Sequence, residues 1–120
     1  MGKILIVDNE DDFVEIIDFR LERSGHTVIN AVSGAEAVEK AEKERPDLVL
    51  LDLGLPDIQG GEVCKRLKTG DKTKNIPVIL ISASELGIMK DIQKDCGADG
   101  VIAKPFHAEE FLKIVDKMLK

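Results

Sequence analysis

A chain of 120 residues, 43% apolar and 33% charged, is sized for one buried core and too hydrophobic for a disordered segment. Its formal charge of −6, with 17 Lys and Arg against 23 Asp and Glu, argues against the multi-cation footprint that a nucleic-acid backbone demands. No apolar run approaches the roughly 20 residues of a membrane span.

In chain order, Ile4-Leu5-Ile6-Val7 is a continuous apolar run that stops at Asp8. Such runs suit strands buried on both faces of a parallel sheet. Phe13, Ile16, Ile17 and Leu21 then recur at helical spacing, after acidic Glu10, Asp11 and Asp12 and before Gly25, which predicts a first helix with favourable charge at its N-terminus. His26 to Ala31, more polar, reads as a strand nearer an edge. Ser33-Gly34-Ala35-Glu36 has capping-box spacing and opens a second helix that must end before Pro46.

Leu48 to Leu51 is the next buried strand, ending at Asp52, and Val63, Cys64 and Leu67 mark a third helix. Val78 to Ile81 ends at Ser82, and Ile88, Met89, Ile92 and Cys96 give a fourth helix closed by Gly97. Val101 to Ala103 ends at Lys104, and Phe111, Leu112, Val115, Met118 and Leu119 form the apolar stripe of a fifth helix. Strand and helix alternate five times, which predicts a doubly wound α/β fold over residues 1–120 as one domain, helices on both sheet faces. Cys64 and Cys96 have no second Cys or His at metal-ligand spacing and are expected to be buried thiols.

Asp8, Asp52, Ser82 and Lys104 each follow a strand. In an open parallel sheet the carboxyl ends of the strands face a common crevice at the point where strand order reverses. Two carboxylates, a hydroxyl and an ammonium are thus predicted to meet there. A polar residue ending one buried strand is ordinary, but the joint occurrence points to a Mg²⁺-assisted phosphoryl site, since clustered carboxylates call for a cation and Mg²⁺ prefers oxygen ligands.

Ile4-Leu5-Ile6-Val7-Asp8-Asn9-Glu10, Leu51-Asp52-Leu53-Gly54-Leu55-Pro56 with Gly60, Ser82-Ala83, and Gly97-Ala98-Asp99 leading to Lys104-Pro105-Phe106 together resemble the response-regulator receiver pattern of two-component signalling. Ser82 and Lys104 stand 30 and 52 positions beyond Asp52, in keeping with it. The resemblance implies a flavodoxin-like (βα)5 fold with strand order 2-1-3-4-5, and Asp52 as phosphoacceptor from a sensor histidine kinase, a phosphotransfer protein or a small donor. It further implies Mg²⁺, with Mn²⁺ as a substitute, held by Asp8, Asp52 and the Gly54 main-chain carbonyl. Lys104 and Ser82 would contact the phosphoryl oxygens, and small Ala83 would leave room for the donor. A cis Lys104-Pro105 bond is also implied. Such a domain catalyses only its own phosphorylation and dephosphorylation. Its output would be a downstream target protein or an output domain lying outside these residues.

Two positions depart from the pattern. Asn9 stands where a metal-ligating carboxylate is expected. Loss of a unit charge about 4 Å away weakens cation attraction by up to roughly 4 kcal/mol per unit of cation charge at an effective dielectric of 20, less the carboxylate repulsion also removed. Metal binding is expected to be weakened but retained, with Asn9 a possible ligand through its amide oxygen and Glu10 contributing through water. Val101 replaces a customary aromatic switch residue, and valine is stiff about χ1. These departures define an alternative, a degenerate receiver that binds partners regardless of phosphorylation. A small-molecule phosphatase is disfavoured because Gly54 occupies the place of its second Asp, and no nucleotide-binding glycine motif follows the first strand. His107 is read as a solvated helix cap and Phe106 as core filling beneath the last helix. The short apolar start lacks the cleavage site of a signal peptide, so a cytoplasmic location is expected, with no direct nucleic-acid or membrane partner.

Overall fold

The structure is a computed structural model that describes residues 2–54, 60–83, 85–104 and 106–119. Its elements alternate as β1 (Lys3–Val7), α1 (Asp11–Arg23), β2 (Thr27–Ala31), α2 (Gly34–Glu44), β3 (Leu48–Asp52), α3 (Gly60–Thr69), β4 (Val78–Ser82), α4 (Leu86–Cys96), β5 (Gly100–Ala103) and α5 (Ala108–Met118). All strand pairs are parallel, and the order across the sheet is β2-β1-β3-β4-β5. The predicted doubly wound architecture is therefore present, with the more polar β2 at an edge.

Continuous apolar strands are explained by what covers each face. Leu5, Val7, Val49, Leu51, Val78 and Leu80 pack with Ala37 and Ala41 of α2, Val63, Cys64 and Leu67 of α3, and Cys96 of α4. The intervening residues Ile4, Ile6, Leu48, Leu50, Ile79 and Ile81 pack on the opposite face with Ile17 and Leu21 of α1 and Phe111 and Val115 of α5. Successive strand side chains point to opposite faces, so both sets must be apolar. Cys64 and Cys96 are buried and free, as expected, and the Cys64 thiol lies 3.5 Å from the Cys96 carbonyl oxygen. Burial, then neighbouring Cys96, raises the Cys64 pKa well above the ordinary thiol value.

Helix ends follow the local chemistry. Ser33 Oγ accepts a hydrogen bond from Glu36 N at 3.2 Å, while Glu36 Oε1 accepts from Val32 N at 2.9 Å, a capping box displaced by one residue on its return bond. Replacing Ser33 with Ala is expected to cost about 0.5–2 kcal/mol in urea denaturation through the lost cap. Arg45 adopts a left-handed conformation (φ 48°) just after α2 and before Pro46. Gly97 (φ 81°) closes α4, its N–H donating to Gln93 O at 2.9 Å, a backbone conformation that glycine adopts without a Cβ penalty. Gly60 is the first residue of α3. Pro56 and the implied cis Lys104-Pro105 bond lie outside the described residues.

Candidate functional site: a carboxylate and lysine cluster at the sheet's carboxyl edge

The strand register places the site residues. Val7 pairs with Leu51, so the next residues, Asp8 and Asp52, stand side by side at the ends of β1 and β3. Asp52 pairs with Ile81, and Ser82 with Ala103, which puts Ser82 and then Lys104 one step further along the same edge. Backbone bonds from Asp8 N to Ala31 O (3.0 Å), Leu53 N to Ile81 O (3.1 Å) and Lys104 N to Ser82 O (2.7 Å) continue the ladders to this rim. Strand order reverses between β1 and β3, and Asp8 and Asp52 flank that point, where open α/β sheets form their crevice.

Asp8, Asp52 and Ser82 are buried, with exposures of 2%, 7% and 8%. Carboxylate oxygens of Asp8, Glu10 and Asp52 lie within 4.8 Å of one another. The Lys104 ammonium is 3.3 Å from Asp8 Oδ2 and 3.2 Å from Glu10 Oε1, and it also stands 4.0 Å above the centre of the Phe13 ring. Gly54 N donates to Asp52 Oδ1 at 3.3 Å, and Glu10 N donates to Asp8 Oδ1 at 2.8 Å. Asn9 and Gly54 are exposed beside this cluster, as is Ala83 at its rim. His107 is exposed at the N-cap of α5, and its side chain makes no cap hydrogen bond. Half-buried Phe106 stacks on Phe111 (5.0 Å) and meets Phe13 edge-on (5.8 Å), in keeping with its expected packing role.

Two contributors stand closer to the site than the sequence indicated. Glu10, read as helix N-terminal charge and expected at the metal only through water, places its carboxylate in the cluster itself. Phe13 reads as part of the α1 core stripe, yet its ring seats the lysine that ends β5. Acidic residues before a helix and aromatic residues on its apolar face are too common to signal either role.

The chain matches the response regulator receiver domain family over residues 4–116. The chain belongs to that family. It is 40% identical over 118 residues to the alkaline phosphatase synthesis transcriptional regulatory protein PhoP of Bacillus subtilis (strain 168), an alignment that takes in 98% of this chain and 48% of that protein. The DNA-binding dual master transcriptional regulator RpaA of Synechocystis sp. (strain ATCC 27184 / PCC 6803 / Kazusa) is 39% identical, over 100% of this chain and 50% of that protein. The receiver domain thus spans about half the length of these curated relatives. Its backbone is similar to that of the chemotaxis response regulator CheY4 of Vibrio cholerae, with a TM-score of 0.92, 30% identity and 99% of each chain covered. It is also similar to the receiver domain of the sensor histidine kinase PA1611 of Pseudomonas aeruginosa PAO1, whose structure has a magnesium ion coordinated in the active-site cleft (TM-score 0.90, 25% identity, 98% of this chain and 97% of that one).

The donor set of the receiver domain suits a hard divalent cation, because it consists of carboxylate oxygens crowded at one point. Crowding also marks the acidities. Burial first, and then the Asp8 charge, raise the Asp52 pKa above the ordinary aspartate value, against lowering by the Gly54 N–H and Lys104. At Lys104 burial works to lower the pKa, but the Asp52 and Asp8 charges, with hydrogen bonds to Glu10 and Asp8, carry it above the ordinary lysine value.

A raised carboxyl pKa makes the folded chain bind more protons than the unfolded chain between the ordinary aspartate value and the raised one. The Asp52 contribution to stability is therefore lost as pH rises through that window. In EDTA, Asp52→Asn is expected to be more stable than the parent chain at neutral pH, with the difference shrinking as pH falls through that window. Thermal melts of both proteins from pH 3 to 7 check this.

Proposed function

We propose that this receiver domain takes a phosphoryl group onto Asp52 and passes the change to a protein partner. The observation that carries the reading is the convergence of Asp52 with Asp8, Glu10 and the Lys104 ammonium at one sheet edge. An Asp52 carboxylate oxygen attacks the phosphorus of a phosphohistidine on a sensor histidine kinase or phosphotransfer protein. The new P–O bond forms as the P–N bond breaks, and the departing imidazole nitrogen takes a proton.

Phosphoryl transfer asks the protein mainly for positioning and charge neutralisation. The Gly54 N–H orients the Asp52 carboxylate. Lys104, already raised in pKa by the Asp52 and Asp8 charges, supplies an ammonium to the phosphoryl oxygens, and Ser82 at the adjacent strand end supplies a hydroxyl. Exposed Ala83 leaves the rim open to the donor. Asp8, Asp52 and the Gly54 carbonyl, with Asn9 as the weaker candidate, would hold Mg²⁺ or Mn²⁺, which when bound neutralises charge building on the phosphoryl oxygens. The added charge draws Ser82 and Lys104 towards Asp52 and shifts the surface of α4 and α5. A downstream target protein or an attached output domain reads that surface.

Acetyl phosphate with Mg²⁺ is expected to add one alkali-labile phosphoryl group by intact mass, and EDTA to prevent it. A chain that stays unmodified with donor and Mg²⁺ overturns the reading. One observation favours a second reading as a phosphorylation-independent interaction module: neutral Asn9 at the site rim, together with aliphatic Val101, half-buried in β5. Partner binding unchanged by donor and by Asp52→Ala would decide for that reading.

A further inference from the structure

We infer that Glu10, rather than Asn9, supplies the charge missing from the cation site of this chain. The inference rests on the reading of Asp52 as a Mg²⁺-assisted acceptor and names the residue that completes the site. Asn9 follows Asp8 directly but is a neutral amide. Glu10 is a full carboxylate whose oxygen lies within 4.8 Å of oxygens from both Asp8 and Asp52. Oxygen ligands around Mg²⁺ at about 2.1 Å stand about 3 Å apart along an octahedral edge and about 4 Å across it. The three carboxylates are therefore a small side-chain movement from that spacing.

Glu10 is built to make the movement. Its backbone N–H is tied to Asp8 Oδ1 at 2.8 Å, which holds the start of its side chain at the site, while the side chain itself is 63% exposed. A cation already stands against this carboxylate pair, since Lys104 Nζ reaches Asp8 Oδ2 and Glu10 Oε1 together. That ammonium carries a single charge and can hydrogen-bond elsewhere, whereas a divalent ion interacts with each carboxylate about twice as strongly at equal distance. Glu10 exchanges the one for the other, and Lys104 is released from it towards Asp52. The Asn9 departure is thereby compensated one position along the chain.

Isothermal titration with MgCl₂ at neutral pH tests this on the parent chain, Glu10→Gln, Asn9→Ala and the double variant Glu10→Gln/Asn9→Asp, each first shown to be folded by circular dichroism. Glu10→Gln is expected to weaken Mg²⁺ binding at least tenfold, the loss of a ligand charge exceeding the effect of outer-shell changes. Asn9→Ala is expected to change it less than twofold, and the double variant to regain most of the loss. A Glu10→Gln protein that binds within twofold of the parent, or an Asn9→Ala protein weakened as much as Glu10→Gln, overturns the inference while the acceptor reading stands. No binding to the parent chain at millimolar Mg²⁺ overturns the acceptor reading as well.

Discussion

Asp52→Asn is expected to yield a folded chain that no longer accepts a phosphoryl group from acetyl phosphate or from a phosphorylated kinase domain. The amide is neutral and a poor nucleophile, and it removes one of the three carboxylates of the cluster. Asp8 and Glu10 remain, but both are engaged by Lys104, and neither occupies the strand-end position of Asp52. Misplacement of a reacting atom by even about 1 Å can cost a factor on the order of 10², so substitute phosphorylation should be slower by at least that factor. Intact mass over a time course with donor reads the rate. Retention of the parent rate would show that another group is the acceptor. The same variant should melt higher in EDTA at neutral pH, because removing the charge relieves the burial cost and then the Asp8 repulsion that raise the Asp52 pKa. Loss of phosphorylation with a gain in stability separates a chemical role from a structural one.

Phe111→Ala is expected to destabilise the domain by about 3–5 kcal/mol, read by urea denaturation. Phe111 is fully buried between α5 and the sheet, beside Ile79, Ile81 and Ile102. Against a typical total of about 5–15 kcal/mol for a domain, the loss leaves a marginal fold. The consequences extend to the site through aromatic contacts. Phe111 stacks on Phe106, Phe106 meets Phe13 edge-on, and the Phe13 ring seats Lys104. Phosphorylation should slow in this variant even at a temperature where the chain is still folded. Phe111→Leu, which keeps most of the volume, should recover most of the stability but not the ring stack. An unchanged phosphorylation rate in both folded variants would show that the aromatic chain does not hold Lys104 in its working position.

The fold was legible because burial on two faces writes itself into sequence as unbroken apolar runs. Leu48 to Leu51 and Val78 to Ile81 could only be central strands, and each ended where a polar side chain began. The structure carries β3 and β4 one residue further, to Asp52 and Ser82, because main-chain pairing depends on the backbone and can outlast the apolar pattern. Asp8, Asp52, Ser82 and Lys104 were legible as strand-end residues for the same reason. Glu10 was legible only as a contributor through water, since its direct place in the cluster depends on how α1 leaves β1 and on the reach of a side chain, neither of which has a periodic signature. The Phe13 contact was hidden likewise: its helical spacing shows which face turns to the core, not which lysine from β5 arrives above the ring.

Borohydride reduction of the chain after treatment with acetyl phosphate and Mg²⁺, followed by proteolysis and peptide mass analysis, locates the acceptor directly. An aspartyl phosphate is converted to homoserine at its own position. The expected result is a single converted residue, Asp52. Conversion at Asp8 or Glu10 instead, or a phosphoryl group retained on His107 with no converted aspartate, would contradict it.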